Sequence, residues 1–245
     1  MAEQSCLVTN DWICGEYLRS RSQELADATV QHIGITVVSV LIGLAVAFPL
    51  ALLARRGPRF AAPVLGLTTV LYTVPSLAMF SLLLPLFGLS AALVVTGLVL
   101  YSLTILVRNI LAGLDAVPQE AKEAARGMGY GPGRLLWEVE LPLALPAVMA
   151  GLRIATVSTV ALTTVGSLVG KGGLGNLIED ALPSFFKAQV LTAAVLCVVL
   201  AVVADLLLLG LQRLLTPWTR ISGTVEAAPA KTDAGPPAPA TVKAG

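Results

Sequence analysis

Apolar residues run along this chain in blocks too long for one face of a globular helix. Residues 29–54 contain no Asp, Glu, Lys or Arg, and about 20 consecutive apolar helical residues cross a bilayer core. Residues 61–87 are likewise uncharged, interrupted by Pro75 and Pro85. A third block, 91–106, follows the turn signal Gly88-Leu89-Ser90 and runs on to Gly113, with Arg108 and Asn109 in its last turns. Blocks 154–170 and 188–211, the latter with Asp205 as its one acid, complete the pattern. The expected fold is all-α and polytopic, with five spans at about 29–54, 61–87, 91–113, 151–170 and 187–213.

Composition agrees: 56% of the 245 residues are hydrophobic and 13% charged, against about 25% charged in soluble domains. The first block starts late, follows a mixed-charge segment and exceeds the usual signal-peptide core of about 7–15 residues, so it reads as a span and residues 1–28 as an extracytoplasmic arm. With five spans and the amino terminus outside, Arg55, Arg56, Arg59, Arg108, Lys122, Arg126, Arg134, Arg153, Arg213, Arg220, Lys231 and Lys243 fall in the cytoplasm, and only Arg19, Arg21, Lys171 and Lys187 outside. That bias obeys the positive-inside rule. A sixth crossing at Pro75 would put the first basic cluster and the polar insert at 118–142 on opposite sides, so Pro75 reads as a kink or break within one span. The tail, 219–245, is rich in Ala, Pro, Thr and Gly and is expected to be disordered and cytoplasmic. Nothing in the charge pattern points to nucleic acid.

The insert is the most informative polar stretch. Pro118 suits the start of a helix, residues 119–127 have the Ala, Glu and Lys of a good helix former, and Gly129, Gly131, Pro132 and Gly133 break it. A second short helix is expected over 134–140, before Pro142 and Pro146 redirect the chain into the fourth span. The product is a cytoplasmic helix-turn-helix whose small Ala124 and Ala125 allow close approach and whose Leu135, Leu136, Trp137 and Val139 offer a face to bury.

In one line, Glu123-Ala124-Ala125 is followed after three residues by Gly129 and, after nine more, by Val139, one residue and Leu141-Pro142. This pattern resembles the coupling motif of ATP-binding cassette importer permeases, with Val at the place of the commoner Ile. The resemblance covers about residues 28–218, and three segments look like the osmoprotectant branch: TVPSLAMFSLLLPLFGLS (73–90), VELPLALPAVMAGLRIATV (139–157) and GKGGLGNLIEDAL (170–182). Methionine and phosphonate permeases share the Gly-Gly-Leu-Gly and coupling elements, so another importer of that kind is the alternative reading, and a stand-alone secondary transporter a more distant one. One departure lies in 101–113, where similar permeases carry a proline before the Ile-Leu-Arg-Asn-Thr run and this chain has Thr104 and Ile110.

The resemblance implies a permease that binds no cofactor and pairs with a second permease subunit, identical or paralogous. Cytosolic ATP-binding subunits holding ATP and Mg would receive the insert, and an extracytoplasmic solute-binding protein would deliver a quaternary-ammonium or related osmoprotectant. The chain carries no Gly-x4-Gly-Lys-Ser/Thr phosphate loop, so the motor is expected on another polypeptide. The receptor is also expected to be separate.

On this reading Glu123, Ala124, Ala125, Gly129, Val139, Leu141 and Pro142 form the ATPase-coupling element. Gly172, Gly173 and Gly175 fall on the outer side, where glycine lets backbone approach backbone; they are gate candidates or a tight turn. Pro75 and Ser76 mark a kink beside the path or a purely structural one. Charges inside spans normally face protein or water, so Asp205 is expected to pair with Arg153 or Arg108. Aromatic faces for a quaternary ammonium are scarce, with Tyr72, Tyr101, Phe80, Phe87, Phe185 and Phe186 as candidates. His32 lacks clustered ligands, so no metal site is expected. Cys6 and Cys14 lie on the outer arm, where a disulfide is permitted but not dictated by spacing.

Overall fold

The computed structural model describes residues 5–220. Most of the predicted tail, from residue 221 on, and the first four residues of the arm lie outside the described residues. The elements in chain order are α1 (Cys6–Thr9), α2 (Gly15–Ser20), α3 (Ser22–Ala54), α4 (Pro58–Thr73), α5 (Ser76–Phe87), α6 (Ala91–Asp115), α7 (Gln119–Gly127), α8 (Pro132–Leu135), a π turn (Leu136–Glu140), α9 (Leu141–Thr163), a 3₁₀ turn (Thr164–Val169), α10 (Leu174–Ala181), α11 (Lys187–Leu215) and a last 3₁₀ turn (Pro217–Arg220). Among the described residues there is no strand.

Four continuous helical stretches are long and apolar enough to cross a membrane, and the bent pair α4–α5 makes a fifth crossing if it is counted as one span. Helix α3 begins seven residues before the first uncharged block. At about 1.5 Å per residue its 33 residues reach about 50 Å, so its first turns stand clear of a core about 30 Å thick.

The helices pack through small residues. Ala47, Ala51 and Ala54 of α3 are buried against Leu103, Leu106, Val107 and Ile110 of α6 and Ala144, Val148 and Ala155 of α9. A methyl group added at Gly43 would fall 2.3 Å from Ser102 Oγ, and one at Gly151 2.3 Å from Asn109 Cβ, so α6 side chains pack directly onto the glycine backbone of α3 and α9. Such seams suit a bilayer, where apolar bulk alone gives no preference for a protein neighbour over lipid. Along α11 only Ala188 and Ala193 are buried, leaving an apolar outer surface.

The break at Pro75 is sharper than a kink, since α4 and α5 meet at 101°. Backbone freed inside a membrane needs a partner, and here the Tyr101 hydroxyl of α6 donates to the carbonyl of Val74. One turn further along α6, Thr104 donates to the carbonyl of Thr68. The residue at which this chain departs from the resembled pattern thus ties α6 to α4.

The predicted helix-turn-helix is only half present. The first helix stands at Gln119–Gly127 as expected, but there is no separate second helix ended by Pro142 and Pro146. Pro132–Val169 runs on as one 38-residue helical stretch into the fourth span. The π turn explains the difference: the Leu141 N–H donates to Leu136 O, five residues back. A widened turn directly before Pro142 makes room for a ring that would otherwise break the helix.

Candidate coupling site

α7 hangs between two backbone breaks. Pro118 caps its start, and its end closes in a glycine-based left-handed turn. Gly129 has φ +86°, its N–H donates to Arg126 O at 2.9 Å, and the Tyr130 N–H donates to Ala125 O at 3.1 Å. This is the Schellman arrangement, which an L residue enters only at a cost. No atom lies within 4 Å of a Cβ built on Gly129, so the constraint there is the backbone angle and not space.

The two faces of α7 differ. Lys122 and Ala125 are buried, whereas Glu123, Ala124, Gly127 and Met128 are exposed. Of the predicted coupling residues, Glu123, Ala124 and Gly129 therefore form an outward corner, and Ala125 is its footing. Val139, Leu141 and Pro142 are half-buried at the base of the fourth span. Trp137, expected to help bury a face, is 61% exposed and its ring lies 5.8 Å from that of Phe48.

Three charges that the sequence did not single out converge behind this corner. Glu140, only 3% exposed, accepts two hydrogen bonds from Arg55, at 2.6 and 2.5 Å. These bonds hold the Arg55 guanidinium above its ordinary range. Lys122 Nζ sits 3.9 Å from the same carboxylate and donates to Leu114 O at 3.3 Å. The signal available in sequence was weak: Glu140 is the unspecified residue between Val139 and Leu141.

Between two spans, Arg153 of α9 and Asp205 of α11 form a fork-to-fork pair at 2.8 and 2.7 Å. Arg108 is not part of it and donates to Thr69 Oγ1 at 2.9 Å. The pair borders an open cleft lined by Ala150, Ile154, Val157 and Ser158. Removing one partner leaves an intramembrane charge without its counter-ion. Asp205→Ala is expected to lower the yield of monodisperse protein, and Arg153→Asp with Asp205→Arg to recover most of it; a double variant no better than either single one would count against the pairing role.

At the other end of the bundle, Gly172, Gly173 and Gly175 are buried inside the chain. Added methyl groups would lie 2.3 Å from Ser167 N, 2.7 Å from His32 Cβ and 2.2 Å from Thr164 O, respectively. The close backbone approach expected of these glycines is thus made within the chain. His32 is fully buried, with Nε2 3.0 Å from Val160 O. Pro75 is exposed and Ser76 half-buried at the α4–α5 break. Cys6 and Cys14 form a disulfide, and Asn10 inside that loop bonds Phe185 O and Lys187 N, docking the arm on the start of α11. Among the described residues no group of three or more His, Cys, Asp or Glu could hold a metal.

Residues 39–221 match the family described as binding-protein-dependent transport system inner membrane component. The chain is 36% identical over 206 residues to the osmoprotectant import permease protein OsmW of Salmonella typhimurium, covering 82% of this chain and 96% of that one. It is 33% identical to the choline transport system permease protein OpuBB of Bacillus subtilis, over 82% and 93% of the two chains. With the carnitine transport permease protein OpuCB of Listeria monocytogenes the identity is 34%, over 82% and 92%. Among solved structures, an inward-facing MetNI methionine ABC transporter superposes with a TM-score of 0.71 at 22% identity, over 78% of this chain and 96% of that one.

Proposed function

Because the chain belongs to the family of binding-protein-dependent transport system inner membrane components, we propose that it is the membrane-spanning permease of an ATP-driven importer for a quaternary-ammonium or related osmoprotectant. The observation that carries the cargo class is the identity of 31–36% to osmoprotectant, choline and carnitine permeases over more than four-fifths of the chain. The likeness to the methionine transporter supports the fold alone.

In this reading the chain's own part is non-catalytic. ATP and Mg are bound and ATP is hydrolysed on partner subunits, a second permease completes the path, and an external receptor delivers the cargo. The outward corner of Glu123, Ala124 and Gly129 is the surface that meets the ATPase, which the exposed polar face of α7 and the turn at its glycine stop support. That corner lies on the cytoplasmic side. Two observations favour this orientation: the cationic bias of that end, and the Cys6–Cys14 bond at the other end of α3, where an oxidising exterior keeps disulfides formed.

The test is uptake of labelled glycine betaine, choline, carnitine and proline betaine, with labelled methionine for comparison, by a transport-null host carrying the permease with its ATPase and receptor. Saturable uptake of at least one is expected, and it should vanish when the ATPase is omitted. Uptake that survives without the ATPase would point to a secondary transporter; uptake of methionine alone would move the cargo assignment.

A further inference from the structure

We propose that Lys122, Glu140 and Arg55 form the joint through which α7 moves the spans, making Lys122 and Glu140 positioning residues for ATP-driven transport. The inference rests on the reading of α7 as the ATPase-coupling helix.

The backbone at both ends of α7 is poorly suited to transmit force, with a proline start and a glycine stop. Its inward attachment comes down to two buried side chains, the small Ala125 and the cationic Lys122. The Lys122 ammonium reaches Leu114 O near the end of α6 at 3.3 Å and the Glu140 carboxylate at the foot of α9 at 3.9 Å. Glu140 in turn is gripped by Arg55, the residue that caps α3. One buried carboxylate therefore gathers α3, α7 and α9, and Lys122 adds α6.

The chemistry of the two cations divides the work. The planar Arg55 fork fixes orientation and locks α3 to α9, whereas an ammonium is a compact charge on a flexible stem. At 3.9 Å the Lys122–Glu140 contact is an electrostatic tether and not a hydrogen bond. α7 can tilt by a fraction of an ångström without breaking it, while a larger push carries the carboxylate along. Glu140 also closes the π turn, a departure from α-helical register that recurs at functional sites.

Glu140→Gln is the obvious variant, but it leaves two cations facing a neutral amide and risks unfolding the base of the bundle. Lys122→Met avoids that problem. Methionine matches the lysine stem in length, and Glu140 keeps both bonds from Arg55, so a purely structural lysine would be replaceable at little cost. The experiment reconstitutes the complete complex in proteoliposomes and measures betaine uptake and ATP hydrolysis on the same preparation. Lys122→Met is expected to keep ATP hydrolysis and to lower uptake per ATP roughly tenfold, within the range of coupling changes made by residues remote from both ligands; Lys122→Arg should restore the ratio. An unchanged ratio in Lys122→Met, or equal losses in Met and Arg, would overturn the proposal. If changes on the outward face, such as Glu123→Ala with Ala124→Leu, also leave the ratio unchanged, the docking reading itself falls. If they collapse the ratio and Lys122→Met does not, only the joint is refuted.

Discussion

Gly129→Asp is expected to reduce ATP-driven uptake to background while the permease still inserts and folds. The native φ of +86° costs an L residue about 1–2 kcal/mol, too little to unfold a bundle of this size. No neighbour lies within 4 Å of the new Cβ, so no clash adds to that strain. The cost falls on the turn, which either relaxes and re-aims α7 or holds and presents a carboxylate on the corner proposed to meet the ATPase. Asn provides the control, because it shares with Asp a better tolerance of left-handed geometry than other side chains have, and carries no charge. Gly129→Asn should therefore keep more uptake than Gly129→Ala despite its larger volume. Uptake, with ATPase copurification as the measure of assembly, checks the series; normal uptake by the Asp variant would remove this corner from the coupling surface.

Gly175→Val has the larger effect on the fold. A Cβ at Gly175 would lie 2.2 Å from Thr164 O and 2.5 Å from Thr164 Cα, both backbone atoms. Side chains in an overpacked core shift at about 1–3 kcal/mol, but here helix backbone would have to move, so the cost exceeds that range. Monodisperse permease in detergent should fall to a small fraction of the native yield. Gly210→Ala is the matched control, since a Cβ there meets nothing within 4 Å, and it should leave the yield unchanged. A well-folded Gly175→Val protein would mean that α10 does not dock on the 3₁₀ turn that follows α9.

These two glycines show how differently the chain could be read. The Gly129 stop was legible because a helix-forming run ended by glycine is a local event, and the predicted helix 119–127 stands where it was expected. The continuation beyond it was not: Pro142 and Pro146 suggest a break unless the π turn before them is known. Likewise Asp205 needed a partner, yet nothing along the sequence chose Arg153 over Arg108; the packing of α11 on α9 did. Trp137 was expected in a buried face because its neighbours are apolar, but the face it occupies points outward.

What the sequence determined by itself were those features a membrane imposes one segment at a time. A bilayer demands apolar length, internal backbone bonding and basic residues on one side, and each demand is written over about 20 consecutive positions. The motif at 123–142 was legible in another way, as a resemblance to the coupling motif of importer permeases. Only the tertiary structure decided which distant groups meet: Arg55 with Glu140 across 85 positions, Arg153 with Asp205 across 52, Gly173 against the backbone of His32. Such contacts have no local period, because they arise where helices cross, and crossing points are fixed by the whole bundle rather than by any one segment.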